Sequence, residues 1–226
     1  MRRFPKAFLI VGVITGLIGT GCVSSSSLRH PEPGQRFSAV SSWYGEPFHG
    51  RLTASGERFD MHGFTAAHRS LPFGTRLKVT DETTERSAIV TVNDRGPFVR
   101  GRQLDLSYGA AREIGLVGEG VGRVAVEVID RDLRYRKRVV NETAPETAAS
   151  TGSFAIQFGA FRDLENASRL KQALELESKG VSIIQTVVDG AIYHRVRLGP
   201  FASRAEAIQR ARAFADEGYD TLIVSR

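Results

Sequence analysis

The last third of the chain repeats one pattern of hydrophobic and polar positions. Residues 154–161 and 194–201 are strand-like segments that each end in a Gly-x-Phe corner, and a helix-like segment follows each. In the first helix, apolar residues recur on one helical face, at Leu164, Ala167, Leu170 and Leu174. Apolar, β-branched runs at 181–188 and 221–224 supply two more strands. The order β-α-β-β-α-β predicts a small α+β domain, a split βαβ arrangement with both helices on one sheet face.

The ends of these elements also carry sequence signals. Gly180 is expected to end the first helix in a left-handed conformation, as glycine often does. Ser203 and Glu206 form a capping box that opens the second helix, and Gly218 is expected to close it. An Asp-Gly pair at 189–190 predicts a tight hairpin between the two halves of the domain.

The segment before this domain is rich in strand and turn signals. A single stretch, 106–114, looks helical, with Ser107 as a plausible N-cap and Gly115 at its end. Many short strands with one helix predict a small closed barrel, so this half is expected to be mainly β. The predicted strands are 39–45, 76–80, 88–92 and 124–129.

The beginning of the chain is typical of an export signal. A positively charged start is followed by the apolar run 7–18, which is too short for a comfortable membrane span, and by small residues before Cys22. Cys22 is the single cysteine of the chain, so no disulfide is expected. Residues 1–21 resemble a bacterial lipoprotein signal, which implies that Cys22 is the first mature residue and carries a lipid. In a Gram-negative cell, Val23 after it implies the periplasmic face of the outer membrane.

Composition divides the rest of the chain. Residues 22–36 contain four serines, two prolines and Gly34 and are predicted to be a tether, and 134–152 are predicted to be a linker. Two folded units follow from this division, a barrel over 37–133 and the α+β domain over 153–226.

Charge restricts the class of partner. The net charge is +6, and Arg2, Arg3 and Lys6 within the predicted signal supply three of those charges. The remainder is too mild for a nucleic-acid-binding protein, so no nucleic acid is expected. It is compatible with an acidic polymer or an anionic membrane surface.

The repeated motifs at 156–161 and 195–201 resemble those of a SPOR domain. That resemblance implies binding to septal peptidoglycan, in particular to glycan strands stripped of their stem peptides. Gln157, Arg195 and Arg197 alternate with apolar residues and are the candidate glycan-binding residues, because a glycan needs hydrogen-bond donors. The alternative is that these three side chains are simply the solvated face of a half-buried sheet.

The barrel segment contains six compact motifs, at 42–45, 50–57, 65–68, 71–75, 92–98 and 101–107. These motifs, in this order, resemble those of the rare lipoprotein A family, whose domain is a double-psi β-barrel. The resemblance implies a lytic transglycosylase that cleaves between N-acetylmuramic acid (MurNAc) and N-acetylglucosamine (GlcNAc) and leaves a 1,6-anhydro ring.

This chemistry needs an acid for the leaving oxygen and then a base for the C6 hydroxyl, and one carboxyl group can serve in both steps. The resemblance carries the two important acidic positions onto Glu57 and Asp94. We take Asp94 as the acid and base, and Glu57 as a group that positions the sugar or stabilises positive charge, although these roles can be exchanged. The alternatives are a turn-forming Asp94 or its ion pair with Arg95, and a solvated Glu57.

Other residues of these motifs have two interpretations each. His68 either orients a carboxylate or packs as an ordinary histidine. Trp43 and Tyr44 either stack on a sugar ring or belong to the core. Asp105 is expected to help the chain enter the following helix.

No metal and no cofactor are expected, because His49, His62 and His68 lack the spacing of a known zinc motif. The leading hypothesis is a lipid-anchored lytic transglycosylase that acts on stripped glycan strands at the division septum, with division proteins as possible partners. The first alternative is a non-catalytic septal glycan-binding lipoprotein. A third interpretation, loosening of polysaccharide without cleavage as in expansins, ranks lowest.

Overall fold

The computed structural model describes residues 31–141 and 153–225. The predicted signal, Cys22 and residues 23–30 of the predicted tether lie outside the described residues, as do residues 142–152 of the predicted linker. Within the described ranges, no helix has the length and apolar character needed to cross a membrane.

The first domain is a closed barrel of six strands, as predicted for a double-psi β-barrel. The strands follow the order β1-β5-β2-β4-β3-β6 around the barrel. Alternate side chains of each long strand point inward, and the interior is filled by aliphatic residues such as Leu77, Val79, Val90, Val92 and Val126. The strand bounds are β1 Arg36–Tyr44, β2 Thr65–His68, β3 Thr75–Asp81, β4 Ser87–Asp94, β5 Leu104–Ser107 and β6 Val121–Arg131.

The four long strands agree with the predicted segments, but β2 and β5 were not predicted as strands. Each has only four residues, and polar or small side chains interrupt its apolar pattern. Their pairing explains why they form: β2 lies between β4, to which it is parallel, and β5, to which it is antiparallel. Backbone hydrogen bonds on both sides, rather than local propensity, stabilise them.

The single barrel helix, α1, spans Tyr108–Ile114 and begins two residues later than predicted. Residues 106 and 107 belong to β5 instead. The predicted caps are correct: the Ser107 side chain accepts a hydrogen bond from the Ala110 N–H, and Gly115 is left-handed.

The second domain is a five-stranded sheet with two helices, which confirms the predicted β-α-β-β-α-β order. Its strands follow the order β7-β11-β8-β10-β9. The additional strand, β7, lies within the range predicted as linker and pairs in parallel with β11. The bounds are β7 Val139–Val140, β8 Phe154–Phe161, α2 Leu164–Glu175, β9 Val181–Val188, β10 Ala191–Phe201, α3 Arg204–Glu217 and β11 Thr221–Ser225.

One predicted helix end in this domain is wrong. Helix α2 ends at Glu175 and its C-cap, Leu176, is right-handed. Gly180 is left-handed, as expected, but it leads into β9 after a separate turn. The signals around α3 are confirmed, because Ser203 caps its first turn and the left-handed Gly218 ends it.

The two domains are in contact through an aromatic cluster. Phe73 comes from the barrel but belongs to the hydrophobic core of the second domain, where its ring lies 5.0 Å from that of Tyr219. Arg95 of the barrel packs against both rings: its guanidinium carbon is 3.7 Å from the Phe73 ring centroid, and its Nε donates to the Tyr219 hydroxyl at 2.6 Å. These contacts bury a charged side chain against two aromatic faces, an arrangement that favours arginine.

Ion pairs surround this cluster. Arg51, in the loop after β1, pairs with Asp163 at 3.1 Å and Glu165 at 2.9 Å, at the beginning of α2. On the other side, Arg136 pairs with Asp216 near the end of α3 at 2.5 Å. The contact between the domains therefore has an aromatic centre that includes the buried Arg95 guanidinium, and partly exposed ion pairs beside it.

Candidate active site

The strand pairing of the barrel brings two carboxylates to one cavity. Ala67 of β2 is the ladder partner of Asp94 on β4 and also of Asp105 on β5. Paired residues on neighbouring strands point to the same face, so Asp94 and Asp105 flank Ala67. The small alanine side chain leaves space between them, and all three residues line a cavity of about 250 Å³.

The wall of this cavity combines aromatic and charged side chains. Such a lining suits a sugar, which offers apolar ring faces and hydroxyl groups together. The aromatic lining residues are Trp43, Tyr44, Phe48 and Phe98, and the charged ones are Asp94, Arg95, Arg102, Asp105 and Arg169.

Asp94 lies at the end of β4 and is held by the backbone. Its Oδ1 accepts hydrogen bonds from the N–H groups of Ala54 and Arg95, both at 2.8 Å. Burial raises the pKa of the Asp94 carboxyl above its ordinary value, although these two hydrogen bonds and the nearby arginines oppose the change. A carboxyl group with a raised pKa remains protonated to a higher pH, which is the property that a general acid needs.

Asp105 occupies a different place from the one expected. It does not cap α1; Ser107 does. The Asp105 side chain accepts a hydrogen bond from Ser42 Oγ at 2.5 Å and lies 3.6 Å from the Arg102 guanidinium. Burial raises the pKa of Asp105 too, against the effect of these partners. The alternation of side chains along β5 could have predicted this position, because Leu104 and Leu106 fill the barrel and leave Asp105 on the opposite face of the strand.

Glu57 is near Asp94 in the fold but lines a different cavity. Its Oε2 accepts a hydrogen bond from Asn93 Nδ2 at 2.8 Å, and Asn93 directly precedes Asp94. Glu57 is exposed and borders a polar cavity of about 340 Å³ together with Tyr135 and Lys137. The structure thus connects the two sequence-predicted carboxylates through Asn93 without bringing them into one cavity.

A tight loop holds both carboxylates in place. The Thr53 N–H donates to the Glu57 carbonyl at 2.8 Å, which closes the loop, and Gly56 adopts a φ of +89° within it. The Ser55 N–H donates to the Asn93 carbonyl at 3.2 Å, next to the bond between Ala54 and Asp94. The loop is therefore fastened to the end of β4 by its backbone, which fixes Glu57 relative to Asp94.

His68 is buried at the end of β2 and is engaged with the backbone. Its Nδ1 accepts hydrogen bonds from the N–H groups of Ser70, at 3.2 Å, and Leu71, at 3.0 Å. Burial lowers the pKa of His68 to about 3, with Arg95 and Arg69 adding to the effect, so the ring is neutral. These contacts support the packing alternative, in which His68 stabilises the turn between β2 and β3.

Trp43 and Tyr44 both border the Asp94 cavity while also packing inside the protein. The Tyr44 ring stacks on Phe59, with 4.2 Å between centroids and 18° between planes. Trp43 makes an edge contact with Tyr108, at 5.5 Å between centroids. The pKa of Tyr44 is raised well above its ordinary value by burial and then by the negative charge of Asp94. Both interpretations of this aromatic pair thus describe part of its environment.

The candidate glycan-binding residues of the second domain lie together on its sheet. Val196 and Leu198 of β10 point into the core, so Arg195 and Arg197 are on the opposite face from the helices. Arg197 pairs across the ladder with Gln157, and its Nε donates to the Gln157 Oε1 at 3.1 Å.

Among the described residues, no group of three or more histidine, cysteine or acidic side chains is arranged to hold a metal ion. The absence of a metal and of a cofactor stays an expectation from the sequence. Sequence reasoning missed Arg169, which lies on α2 of the second domain and reaches the Asp94 cavity only because the domains are in contact.

Two family models match the chain. Residues 37–126 match the model described as lytic transglycolase, and residues 150–225 match the SPOR domain. The two matches cover the barrel and the second domain respectively.

Individual relatives match over both domains. The chain is 36% identical over 187 residues to the endolytic peptidoglycan transglycosylase RlpA of Vibrio cholerae, covering 83% of this chain and 68% of that protein. It is 34% identical to the protein of the same name from Pseudomonas aeruginosa, covering 83% of this chain and 70% of that protein.

A third relative matches only part of the chain. The probable endolytic peptidoglycan transglycosylase RlpA of Synechocystis is 58% identical over 90 residues, or 40% of this chain. The matched part spans 28% of the length of that relative. The Vibrio cholerae and Pseudomonas aeruginosa relatives have lower identity but match 83% of the chain. The chain therefore belongs to the RlpA family, whose named members are endolytic peptidoglycan transglycosylases.

Proposed function

We propose that this protein is a lytic transglycosylase that cleaves MurNAc–GlcNAc bonds within peptidoglycan glycan strands and leaves 1,6-anhydro-MurNAc ends. The observation that carries the proposal is the state of Asp94, a backbone-held carboxyl with a raised pKa in a cavity with an aromatic wall. Membership in the RlpA family supplies the reaction, and this carboxyl is the group able to perform it.

Asp94 acts twice in the proposed reaction. Its protonated carboxyl donates the proton to the glycosidic oxygen, and GlcNAc leaves as positive charge develops at the anomeric carbon of MurNAc. The resulting carboxylate then removes the proton from the C6 hydroxyl of the same MurNAc, whose oxygen bonds to the anomeric carbon and closes the anhydro ring. Asp94 gives up one proton in the first step and regains one in the second, so the enzyme returns to its starting state without consuming water.

A second carboxylate stabilises the positive charge in this scheme. Asp105 shares the cavity with Asp94, so we assign this role to Asp105. Glu57 lines the neighbouring cavity and bonds to Asn93, so it is assigned the positioning of the sugar strand and of the Asp94 segment. His68, bonded to the backbone, supports the adjoining turn.

The second domain brings the enzyme to its substrate. Gln157, Arg195 and Arg197 are proposed to bind glycan strands stripped of their stem peptides, as expected for a SPOR domain. A binding domain joined to a catalytic domain raises the local substrate concentration. The lipid on Cys22, the periplasmic face of the outer membrane, enrichment at the septum and contacts with division proteins complete the proposal, and they rest on the sequence signals alone.

The proposal is tested by product analysis. Full-length protein, purified in detergent, is incubated with amidase-treated sacculi, and the soluble fragments are analysed by mass spectrometry for anhydro-muramic ends. Asp94→Asn is expected to reduce their release by about 10²–10⁴-fold, the usual contribution of acid–base catalysis. Glu113→Gln, which removes an exposed barrel carboxylate, is the control and is expected to retain full activity.

The competing function is that of a non-catalytic septal glycan-binding lipoprotein. It is favoured by one observation: Glu57 and Asp94 line separate cavities. In that case the wild-type protein binds sacculi but releases no anhydro product, whereas an active relative tested alongside does so.

A further inference from the structure

Helix α2 of the second domain contributes one side chain to the wall of the Asp94 cavity. Its first turn is held to the barrel by Arg51, which bonds to both Asp163 and Glu165. About one turn after Glu165, Arg169 reaches the cavity and lines it together with Asp94 and Asp105. The cavity is therefore shared by the two domains, although both proposed carboxylates of the reaction come from the barrel.

The guanidinium of Arg169 is held in place but is not fully satisfied. Its Nη2 donates to the Asn166 side chain at 2.6 Å, and its carbon lies 5.5 Å from the centroid of the Phe48 ring. Its Nε is buried and has no hydrogen-bond partner within the described residues. Its positive charge lowers the pKa of Asp94, yet no ion pair between the two is found in the described ranges. A buried donor without an acceptor costs free energy, so an acceptor supplied by a ligand would stabilise this arrangement.

The other two cations that line the cavity, Arg95 and Arg102, each also have one buried nitrogen without a hydrogen-bond partner among the described residues, but they differ from Arg169 in their remaining partners. Arg102 lies 3.6 Å from the Asp105 carboxylate. Arg95 donates to the Tyr219 hydroxyl and to the Leu71 carbonyl. Arg169 has one hydrogen bond, to a neutral amide on its own helix, and no carboxylate partner among the described residues, so it is the arginine best placed to accept an anionic ligand. A guanidinium binds a carboxylate through short, charge-assisted hydrogen bonds.

We infer that Arg169 binds the lactyl carboxylate of the MurNAc unit in the barrel cavity and so selects glycan from which the stem peptide has been removed. This inference rests on the proposed function, because it places a MurNAc unit beside Asp94. The lactyl carboxyl is free and negatively charged only after the peptide is cleaved off; with the peptide attached it is a neutral amide. A preference for stripped strands then arises in the catalytic cavity itself, independently of the sheet face of the second domain.

A pair of substrates that differ in this group tests the inference. One is amidase-treated glycan with free lactyl carboxylates, and the other is the same glycan after carbodiimide coupling to ammonia, which converts those carboxylates into neutral amides. Full-length Arg169→Ala is expected to lose about tenfold or more in kcat/KM on the free-carboxylate glycan, mainly through KM, and to change little on the amide. Arg169→Lys keeps the charge and is expected to retain part of the activity.

Lys171→Ala is the matched control. It removes a positive charge from the same helix, and Lys171 pairs with Glu175 rather than lining the cavity. It is expected to match the wild-type protein on both substrates. An equal loss on both substrates by Arg169→Ala would overturn the inference, and so would a gain of activity, because a gain would make α2 a cover over the site.

A binding measurement keeps the inference separate from the proposed function. Trp43 is the single tryptophan of the chain and lines the same cavity, so its fluorescence reports on ligands bound there. In the Asp94→Asn background, Arg169→Ala is expected to weaken binding of a short stripped glycan at least about tenfold by this signal. An unchanged Kd refutes the role of Arg169, whether or not the wild-type protein cleaves glycan.

Discussion

Phe73→Ala is expected to separate the two domains without unfolding the barrel. The Phe73 side chain is fully buried, and the backbone N–H of Phe73 donates to the Glu217 carbonyl of α3 at 2.9 Å. It supports the Arg95 guanidinium at 3.7 Å and the Tyr219 ring at 5.0 Å. Gly218 also packs closely against Phe73, since a Cβ added at Gly218 would lie 3.0 Å from the Phe73 Cβ.

The expected loss of stability follows from the contacts of the Phe73 ring. Truncation of a fully buried phenylalanine to alanine lowers the free energy of unfolding by about 3–5 kcal/mol. Here the loss of the cation–π contact with Arg95 is one part of that cost. Because the ring belongs to the core of the second domain, most of the cost falls on that domain and on its attachment to the barrel. The barrel core consists of other residues and is expected to keep its own stability.

Urea unfolding followed by two signals distinguishes these outcomes. Trp43 fluorescence reports on the barrel, and far-ultraviolet circular dichroism reports largely on α2 and α3. We expect coincident midpoints for the wild-type protein and separate midpoints for Phe73→Ala, with the dichroism transition at lower urea. Phe64→Ala, in which a 46% exposed ring is removed, is the control and should change stability by less than about 1 kcal/mol. Coincident midpoints in Phe73→Ala, with a loss of unfolding free energy below about 1 kcal/mol, would refute the idea that Phe73 holds the two domains together.

Two further predictions concern single ionisable groups. Asp105→Asn should keep the fold, because the amide oxygen can still accept a hydrogen bond from Ser42. It should lower kcat about tenfold or more, because the neutral amide cannot stabilise the developing positive charge. An unchanged kcat, measured beside the control Glu113→Gln, would remove Asp105 from the mechanism. His68 has a folded pKa of about 3, below its ordinary value, so its contribution to stability is present above about pH 6.5 and is lost as the pH falls towards 3, at about 1.4 kcal/mol per pH unit. An NMR titration should show the His68 ring unchanged between pH 5 and 8, and a midpoint near 6.5 would contradict its burial as a neutral acceptor.

The second domain was largely predictable because its signals are local. The repeat, the capping box at Ser203 and the Asp-Gly hairpin each lie within a few residues of the element that they define. Two features were not predictable in this way. The end of α2 depends on where the turn before β9 begins, and β7 forms only because β11 offers it an open edge.

The candidate site was predictable only in part, for reasons of topology. Asp94 could be named because it lies within a compact motif at the end of a strongly apolar strand. The pairing of Asp94 and Asp105 depends on Ala67, which is the ladder partner of both through a short strand that lacks a clear pattern. Arg169 is separated from Asp94 by a whole domain boundary, and no periodicity along the chain predicts that the two will line one cavity.

The short strand β7 has a consequence for how the chain can be divided. Val139 and Val140 cover the edge of β11, whose backbone N–H and C=O groups would otherwise be open on that side. An uncovered sheet edge is a template on which other chains can add strands. A fragment that begins at residue 153, where the fold pattern begins, would expose that edge and tend to self-associate, whereas one that begins before Lys137 would retain its cover. Two valines outside the repeat thus cover one of the two edges that the sheet β11-β8-β10-β9 would otherwise have.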